Sequence, residues 1–515
     1  MFLPRFAHPL SRTILRRTAL AGCAALLASC GGGGGSSGSS PFDIGLPSSA
    51  SLAQQCAAPR PSDTQGTLAT EKAFLRSWID ETYLWYQDVR VLPAATLDPT
   101  MYATPIDYFA ALKTPLTTAS GKPKDKFHFT YDTPAWIALS QQGVSYGYGF
   151  EIALLRTTPD LSTTPPTPRR AVVAYTDNGA ATAQTIGRGA AILTVDGVDL
   201  GLGSDVATLN AGLFPTGAGT HTLVVQDIGS STTRSVTVTA SAITEMPVQN
   251  VMTLPAPNTS VGYILFNDHI ATAESALVAA INQLKTAGVT DLVLDIRYNG
   301  GGYLDIASEL AYMIGGSHTA GAYFERLNYN NRDPFTQSLA QRTTDFHSTG
   351  QGFTVAAGQA LPTLNLSRVY VLTTADTCSA SEAIINGLRG AGVTVNQIGS
   401  TTCGKPYGFF PKDNCNTTYF AIQFQGVNNV GFGDYPDGFV PPAACVVADD
   451  FTHPLGDPAE NQLEVALGLR NTGTCTPPTS VRAGALSVAR NLADASKGPV
   501  LVRTPFRENR IYRPQ

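Results

Sequence analysis

The sequence has few charged residues and no basic run. Asp, Glu, Lys and Arg make up 14% of its 515 residues, and the formal net charge is −5. No segment gathers Lys and Arg into a positive face of the kind that binds nucleic acid. These absences argue against a polyanionic partner, so no nucleic-acid function is predicted.

Motifs for metals and nucleotides are also missing. There is no Cys-x-x-Cys pair and no His-Glu-x-x-His, and His128 and His269 are isolated in the sequence, so no metal site is predicted. The glycine run 31–35 is not followed by Lys-Ser or Lys-Thr, as a phosphate-binding loop requires. The six-residue glycine fingerprint of dinucleotide-binding folds is absent after the apolar run 291–296. We therefore predict no cofactor.

Long apolar runs are missing apart from a short one near the N-terminus. No segment reaches the ~18 consecutive apolar residues that span a bilayer. Residues 18–27 are apolar, follow Arg16 and Arg17, and end in Leu27-Ala-Ser-Cys30. This ending resembles the lipobox of bacterial lipoproteins, in which the cysteine is lipidated and becomes the mature N-terminus. The competing box that ends at Cys23 leaves too few residues after Arg17.

The lipobox resemblance implies a signal peptide over residues 1–29 and a lipid on Cys30. We therefore expect a protein of the bacterial cell envelope, anchored by lipid to a membrane, with the periplasmic face of the outer membrane as its location. Residues 30–66 begin with a Gly/Ser run and would act as a tether. An unlipidated signal peptide is the alternative, and Arg16-Arg17 hints at twin-arginine export.

Six cysteines remain after Cys23 and Cys30, and an even number in an exported chain predicts disulfides. Six cysteines permit 15 pairings, which sequence alone does not distinguish. Cys403–Cys415 is the preferred pair, because the Gly/Pro-rich stretch between them reads as a hairpin-like loop. A zinc site is the alternative. The six positions are 56, 378, 403, 415, 445 and 475.

Hydrophobic periodicity predicts that the remaining chain has an α/β fold class, as a multi-domain α+β protein. Residues 67–132 show helical spacing, with Pro93 and Pro99 interrupting the pattern. Residues 133–245 contain short strand-like runs, including 191–199 with Asp-Gly at a predicted hairpin turn. Residues 246–475 alternate predicted strands (261–266, 291–296 and 368–373) with predicted helices (273–287, 304–314 and 379–389). Residues 476–515 are expected to form a loosely packed tail.

The β-rich region 133–245 resembles a PDZ domain. Gly147-Tyr148-Gly149-Phe150 lies where that family has its carboxylate-binding loop, and the segment 187–197 matches its Gly-Asp-x-Ile-x-x-Ile-Asp-Gly motif. Glycines let backbone N–H groups converge on a terminal carboxylate while the bound peptide pairs as an added strand. These four residues are therefore the predicted peptide site. A PDZ fold that serves only as a scaffold is the alternative.

Two short motifs in the α/β region suggest nucleophilic catalysis. Ser379 begins a predicted helix, where the helix dipole favours developing negative charge, and Lys405 follows the next predicted strand. A lysine acts as a base only if its surroundings keep it neutral. The Ala380 N–H and the turn containing Gly301 and Gly302 are predicted oxyanion donors. Taken singly, Ser379 reads first as a helix cap and Lys405 as a solvated surface residue, and only their combination favours catalysis.

The order of these features resembles the C-terminal processing (tail-specific) proteases, serine peptidases with a PDZ domain and a Ser/Lys dyad in a crotonase-like core. The resemblance covers about residues 70–470. It implies Ser379 as nucleophile and Lys405 as base. Many members have Gln four residues after the lysine to orient it. Here Phe409 stands at that position, which leaves Glu382 as a candidate orienting residue.

Other roles near the dyad follow from the same comparison. Cys378 and Cys403 flank the dyad residues and are candidates to clamp the site. His269 is an alternative base, as in tricorn-like relatives that pair serine with histidine. The resemblance implies a serine endopeptidase that cleaves extended or unfolded polypeptide segments docked by the PDZ domain. The alternative is a catalytically inactive lipoprotein that binds a peptide or ligand on the same fold.

Overall fold

The computed structural model describes residues 45–157, 159–177, 185–332 and 338–478, and the backbone of 510–511. The chain divides into residues 1–46 and a compact unit of residues 47–515, which contains every element described below. The predicted signal peptide and Cys30 lie outside the described residues, as do residues 180–184 of the segment 180–186, for which the sequence predicts a short helix. Within the described ranges, none of the helices has both the length and the apolar character needed to cross a bilayer.

The N-terminal part of this unit is mainly helical. Its longest helix starts where Thr67 and Thr70 cap each other, and it buries Phe74, Trp78 and Ile79 along one side. A short 3-10 helix, Pro99–Met101, follows the fourth helix. The elements are α1 (Ser49–Leu52), β1 (Gln55–Cys56), β2 (Thr64–Gln65), α2 (Leu68–Thr82), α3 (Tyr86–Arg90), α4 (Ala94–Leu97), α5 (Pro105–Ala111), β3 (Phe129–Asp132) and α6 (Thr133–Gln142).

The next part is a seven-stranded sheet with one helix. Asp196 and Gly197 both have positive φ, 49° and 81°, which is the hairpin turn that Asp-Gly predicts. The strand order is β4-β10-β9-β7-β6-β5, with β8 paired to β7. The elements are β4 (Val144–Gly147), β5 (Phe150–Arg156), β6 (Arg170–Thr176), β7 (Ala191–Val195), β8 (Val198–Asp199), α7 (Val206–Leu213), β9 (Gly219–Gln226) and β10 (Arg234–Thr244).

The third part alternates strands and helices. Two further 3-10 helices, Gly316–Thr319 and Ala443–Cys445, occur here. The elements are β11 (Val248–Thr253), β12 (Val261–Phe266), α8 (Ala273–Thr286), β13 (Asp291–Asp295), β14 (Gly302–Tyr303), α9 (Leu304–Gly315), β15 (Tyr323–Tyr329), β16 (Thr343–Asp345), β17 (Arg368–Thr373), α10 (Ala380–Gly390), β18 (Thr394–Gly399), β19 (Tyr407–Gly408), β20 (Lys412–Asn414), β21 (Thr417–Phe420), β22 (Phe424–Val427), α11 (Asn461–Thr472) and β23 (Arg510–Ile511).

A five-stranded sheet in the order β11-β12-β13-β17-β18 forms the centre of this part. β12, β13, β17 and β18 run parallel, and β11 is antiparallel to β12. Both faces are covered. Ile264 and Leu294 pack in the cluster that contains α8, α9 and α10, whereas Tyr263 and Val293 pack in the cluster that contains α11. Burial on two faces explains why β12 and β13 are continuously apolar rather than alternating.

Four smaller sheets surround this centre. One has the order β16-β15-β22-β19, and another has the order β20-β21-β3. β3 lies within the segment predicted to be a helical module, yet it pairs with β21 far along the chain. The remaining two sheets are the parallel pairs β1-β2 and β14-β23. The domain boundaries drawn from the sequence stay a prediction. The pairing of β3 with β21 shows that strands pair across these boundaries.

The disulfides correct the predicted pairing. Cys403 bonds to Cys378 and Cys415 bonds to Cys56, so the expected Cys403–Cys415 bridge is wrong. The third pair is Cys445–Cys475. Cys415 faces Cys56, with their Cα atoms 5.4 Å apart, because the turn after β20 returns to the N-terminal segment. That contact spans 359 positions in sequence, and no local pattern reports it.

Candidate active site

The predicted catalytic segments follow three neighbouring parallel strands. Residues 296–302 follow β13, residues 374–379 follow β17, and residues 400–405 follow β18. The register pairs Asp295 with Leu372 and Thr373 with Gly399, so the three strands end at one edge of the sheet. Carboxyl ends of parallel strands are the usual place for sites in α/β sheets, because loops converge there.

Ser379 lies immediately before α10 in a strained conformation. Its φ is 60° and its ψ is −112°, a region that residues with a Cβ seldom adopt. The side chain is fully buried, and the backbone N–H donates to Glu382 Oε2 at 2.9 Å. This sharp turn leads directly into the first turn of α10, where the backbone N–H groups point toward the N-terminal end of the helix and so toward Ser379. The surrounding contacts therefore hold the serine backbone against its own preference.

Glu382 binds the backbone around both predicted catalytic residues. Its Oε2 accepts from the N–H of Ser379 and, at 2.8 Å, from that of Lys405. Its Oε1 accepts from the Gly404 N–H at 2.9 Å and from the Thr402 hydroxyl. The predicted role was orientation of the lysine side chain, whereas the observed contacts are to the lysine backbone. One buried carboxylate thus connects the start of α10 to the segment after β18.

Lys405 is fully buried between two aromatic rings. Its Nζ lies 4.6 Å from the ring centroid of Phe127 and 4.3 Å from that of Phe409. Phe409 stands four residues after the lysine, and its ring face contacts the ammonium or amine. The backbone before it is tight, since Gly404 has φ +82° and a Cβ there would collide with the Pro436 carbonyl oxygen.

The Cys378–Cys403 disulfide joins the same two segments covalently. The Cα atoms of these residues are 5.1 Å apart, and the Cys403 N–H donates to the Thr377 carbonyl at 3.0 Å. Cys378 precedes the serine, and Cys403 lies two residues before the lysine. The cysteine sulfurs and the Glu382 carboxylate lie close enough to suggest metal ligands. The sulfurs are bonded to each other, however, and so are not available as thiolates.

The glycine turn after β13 packs against the serine segment. The Asn299 carbonyl accepts from the Cys378 N–H and the Ser381 hydroxyl, both at 3.0 Å. The Gly301 N–H donates to Asn299 Oδ1 at 2.9 Å, so this predicted oxyanion donor is engaged within the turn. Gly302 has φ +132°, and a Cβ there would come within 2.5 Å of the His269 carbonyl oxygen. Only glycine fits that approach.

His269, the alternative base, is buried beside the glycine turn. Its Nδ1 lies 2.9 Å from Asn299 Oδ1 and 3.2 Å from the Gly301 carbonyl oxygen, which places the proton on Nδ1. Burial lowers the pKa of His269 to about 3, and the bonds to Asn299 and Gly301 offset this only in part. A histidine that resists protonation so strongly is a weak proton acceptor for catalysis.

Charged residues form a buried network beneath the glycine turn. Arg297 bonds Asp295, Asp449 and both carboxylate oxygens of Glu460 at 2.8–2.9 Å. Arg188, from the turn before β7, also bonds Asp449, at 2.8 Å. Burial opposes charge on Arg297, but the three carboxylates prevail and hold its pKa well above the usual value. The network fixes the strand end that carries Asn299.

Residues 147–150 line a separate groove of about 590 Å³. The groove extends along the edge strand β5 and past Leu213 and Phe214 to Asp268, the neighbour of His269. Gly149 has φ +76°, and the buried Tyr148 donates from its hydroxyl to the Gly212 carbonyl at 2.7 Å. An edge strand beside a glycine loop can accept an added peptide strand.

The structure therefore brings Ser379, Ala380, Glu382 and Lys405 together, with the glycine turn alongside, and places 147–150 elsewhere. Their chemical roles stay predictions. Sequence reasoning missed Asn299 and Phe127. The run Asp-Ile-Arg-Tyr-Asn, polar immediately after a buried strand, was a usable signal for Asn299. No local pattern marks Phe127, which lies far from the dyad in sequence.

Comparison with known proteins shows which family the core resembles. Residues 260–413 match peptidase family S41. A carboxyl-terminal-processing protease from Picosynechococcus sp. is 28% identical over 221 residues, which cover 42% of this chain and 45% of that protein. The chain thus aligns with less than half the length of the curated relative it matches.

A solved structure has the same fold. A Bacteroides fragilis protein described as an S41 protease superposes with a TM-score of 0.57 at 22% identity, covering 78% of this chain and 97% of the other. A photosystem II D1 C-terminal processing protease superposes less well, with a TM-score of 0.42 at 20% identity, covering 76% of this chain and 98% of the other. The predicted resemblance to this family and the mixed α+β fold class are confirmed.

Proposed function

Because the core of this chain, residues 260–413, carries the sequence of peptidase family S41, we propose that the protein is a serine endopeptidase of the C-terminal processing type. Ser379 is the nucleophile and Lys405 the base. The observation that carries the proposal is the Glu382 carboxylate, which binds the backbone N–H groups of both residues. A structural helix cap alone would not need to reach the segment after a different strand.

The chemistry is acyl transfer. Lys405 Nζ, neutral, takes the proton of Ser379 Oγ as the oxygen attacks the scissile carbonyl carbon. The Ala380 N–H, unused within α10, and the Gly302 N–H are the proposed donors to the resulting oxyanion. Collapse of the intermediate breaks the C–N bond, and Lys405 returns the proton to the leaving amine. Water then hydrolyses the acyl-enzyme ester with Lys405 again as base.

The substrate is an extended or unfolded polypeptide. Its terminal segment docks at residues 147–150 and along the β5 edge, and the groove continues to Asp268 beside the glycine turn. This continuity supports a substrate path from the docking groove toward Ser379. A lipid on Cys30 would hold the protein at the periplasmic face of the outer membrane.

Replacing Ser379 by Ala tests the nucleophile. We expect hydrolysis of an unfolded test protein to fall by about 10³-fold or more, because the residual rate comes only from binding and oxyanion donors. Ser381→Ala is the matched control, since Ser381 contacts the Asn299 carbonyl from the same turn of α10. Unchanged hydrolysis in Ser379→Ala would contradict the proposal. Absence of hydrolysis by the wild type, with peptide binding retained, would favour the binding lipoprotein.

A further inference from the structure

The predicted tail contributes a strand next to the candidate active site. β23 pairs in parallel with β14, in the register Gly302 with Arg510 and Tyr303 with Ile511. Gly302 is the proposed oxyanion donor, and the adjacent Gly301 bonds Asn299 beside the serine segment. Residues 510–511 thus pair with the backbone at the end of the glycine turn.

The same tail strand also lies beside β19. β19 is Tyr407–Gly408 and begins two residues after Lys405. Residues 510–511 therefore lie next to both β14, at the end of the glycine turn, and β19, after the lysine. The glycine turn contacts the serine segment through the Asn299 carbonyl, and the Glu382 carboxylate joins the lysine segment to Ser379.

A protease holds its substrate main chain by strand pairing next to the nucleophile, since the scissile carbonyl must reach both the hydroxyl and the oxyanion donors. In this chain, the backbone edge at Gly302 is already paired. A substrate strand and β23 would need the same hydrogen-bonding groups of β14, and both cannot pair with them together.

We propose that the tail strand Arg510–Ile511 occupies the substrate track between β14 and β19, and that this segment is an intrasteric inhibitor of the same active site. The inhibition rests on the proposed peptidase function, whereas the docking does not. The paired strand is only two residues long, so the contact is weak and a substrate held at the groove of residues 147–150 displaces it.

Tethering makes such a weak contact effective. A segment joined covalently to its site has an effective concentration on the order of 1 mM. If the free segment bound with a Kd of about 0.1 mM, the tethered segment would suppress activity about tenfold. Inhibition in this range leaves a protease that is restrained with poor substrates and released by those that dock tightly.

Deletion of residues 506–515 tests the inhibition. We expect kcat/KM for a short peptide substrate to rise about tenfold, mostly through a lower KM, because the tail competes with substrate. A chain of matched length that lacks residues 486–495 keeps the paired strand and should keep its restraint. Equal kcat/KM in the full chain and the 506–515 deletion would overturn the inhibitory role.

Binding is measured without turnover. A fluorescent peptide of residues 506–515 is titrated into the 506–515 deletion that also carries Ser379→Ala, with a peptide of scrambled order as control. Saturable binding that an extended substrate peptide displaces supports the docking, and no binding up to ~1 mM, the expected effective concentration, overturns it. If no variant cleaves any substrate, the peptidase proposal fails, yet this titration still decides whether the tail docks.

Intact mass adds an independent readout. A wild-type chain trimmed within residues 500–515, next to an untrimmed Ser379→Ala chain, would show that the tail reaches the nucleophile and would support the docking. In hydrogen exchange, the Gly302 amide should exchange faster after the deletion, because its strand partner is gone, whereas the Tyr303 amide, which donates to the His269 carbonyl, should keep its rate. Unchanged exchange at the Gly302 amide would contradict the pairing.

Discussion

Replacing Glu382 tests whether the Ser379 and Lys405 segments form one connected site, because its carboxylate bonds the backbone of both. In Glu382→Gln the carbon skeleton of the side chain is unchanged, but one carboxylate oxygen becomes an NH₂ group. If NH₂ replaced Oε2, it would face two backbone donors, those of Ser379 and Lys405. If it replaced Oε1, it would face the Gly404 N–H and the Thr402 hydroxyl. The second orientation costs less, because a hydroxyl can also accept a hydrogen bond.

The expected loss of stability follows from that geometry. One buried N–H, that of Gly404, loses its acceptor, which costs about 1–3 kcal/mol. The remaining bonds change from charge-assisted to neutral, each weaker by roughly 0.5–1 kcal/mol. We therefore expect Glu382→Gln to lower the unfolding free energy by about 3 kcal/mol, and Glu382→Ala by more, since Ala removes every acceptor.

Activity should fall more steeply than substrate affinity. Freeing the Lys405 backbone lets Nζ move, and a displacement of ~1 Å at a reacting group can cost about 10²-fold in rate. We expect kcat to fall by about 10–10²-fold with KM little changed, as for a residue that positions catalytic groups without touching substrate. Urea unfolding followed by tryptophan fluorescence, together with steady-state hydrolysis of an unfolded protein, measures both quantities.

Glu309→Gln is the matched control for Glu382→Gln, because it makes the same substitution at a buried carboxyl that contacts neither Ser379 nor Lys405. It should leave kcat within about twofold. The reasoning is refuted if Glu382→Gln shifts the unfolding free energy by less than ~0.5 kcal/mol and keeps kcat/KM within twofold.

Three further predictions concern groups near the site. Burial, and then the Glu274 carboxylate, raises the pKa of Glu309 to about 9. Because the pKa of this acid is raised in the folded state, the protein loses stability as pH climbs from about 4.5 to 9. Glu309→Gln should therefore raise the thermal midpoint at pH 8 but not at pH 5. Glu274→Gln should lower the thermal midpoint at both pH values, because Glu274 accepts from backbone N–H groups of 351–355. Removing Cys378–Cys403 or Cys445–Cys475 should cost about 3 kcal/mol each, as their separations of 25 and 30 residues are similar, and only the first should reduce kcat. Equal effects on kcat would contradict the clamp. Because the pKa of His269 is about 3 in the folded protein, its neutral form contributes its full stability above pH 6.5. The unfolding free energy should fall as pH drops from 6.5 toward 3. The kcat/KM profile should lack a titration near 6.5, and one that disappears in His269→Asn would restore histidine as the base.

The sequence by itself determined the local elements of the core and the identity of the candidate nucleophile. Strands predicted at 261–266, 291–296 and 368–373, and helices at 273–287, 304–314 and 379–389, are present within a residue or two. They were readable because each buries a face with its own period, and because small residues mark the turns between them. Ser379 was recognisable as a candidate because its helix start and the glycine turn at 300–302 are each formed by consecutive residues.

Tertiary structure alone decided how the segments meet. Several contacts join positions that share no local pattern. They are the Cys56–Cys415 and Cys378–Cys403 bonds, the rings of Phe127 and Phe409 around Lys405, and the pairing of β3 with β21. Glu382 was predictable as a helix cap, since that contact is three residues away. Its bonds to Gly404 and Lys405 were not, because they depend on the order in which β13, β17 and β18 lie side by side. Sequence periodicity reports which face of an element is buried, whereas strand order and loop approach are set by packing across the whole core.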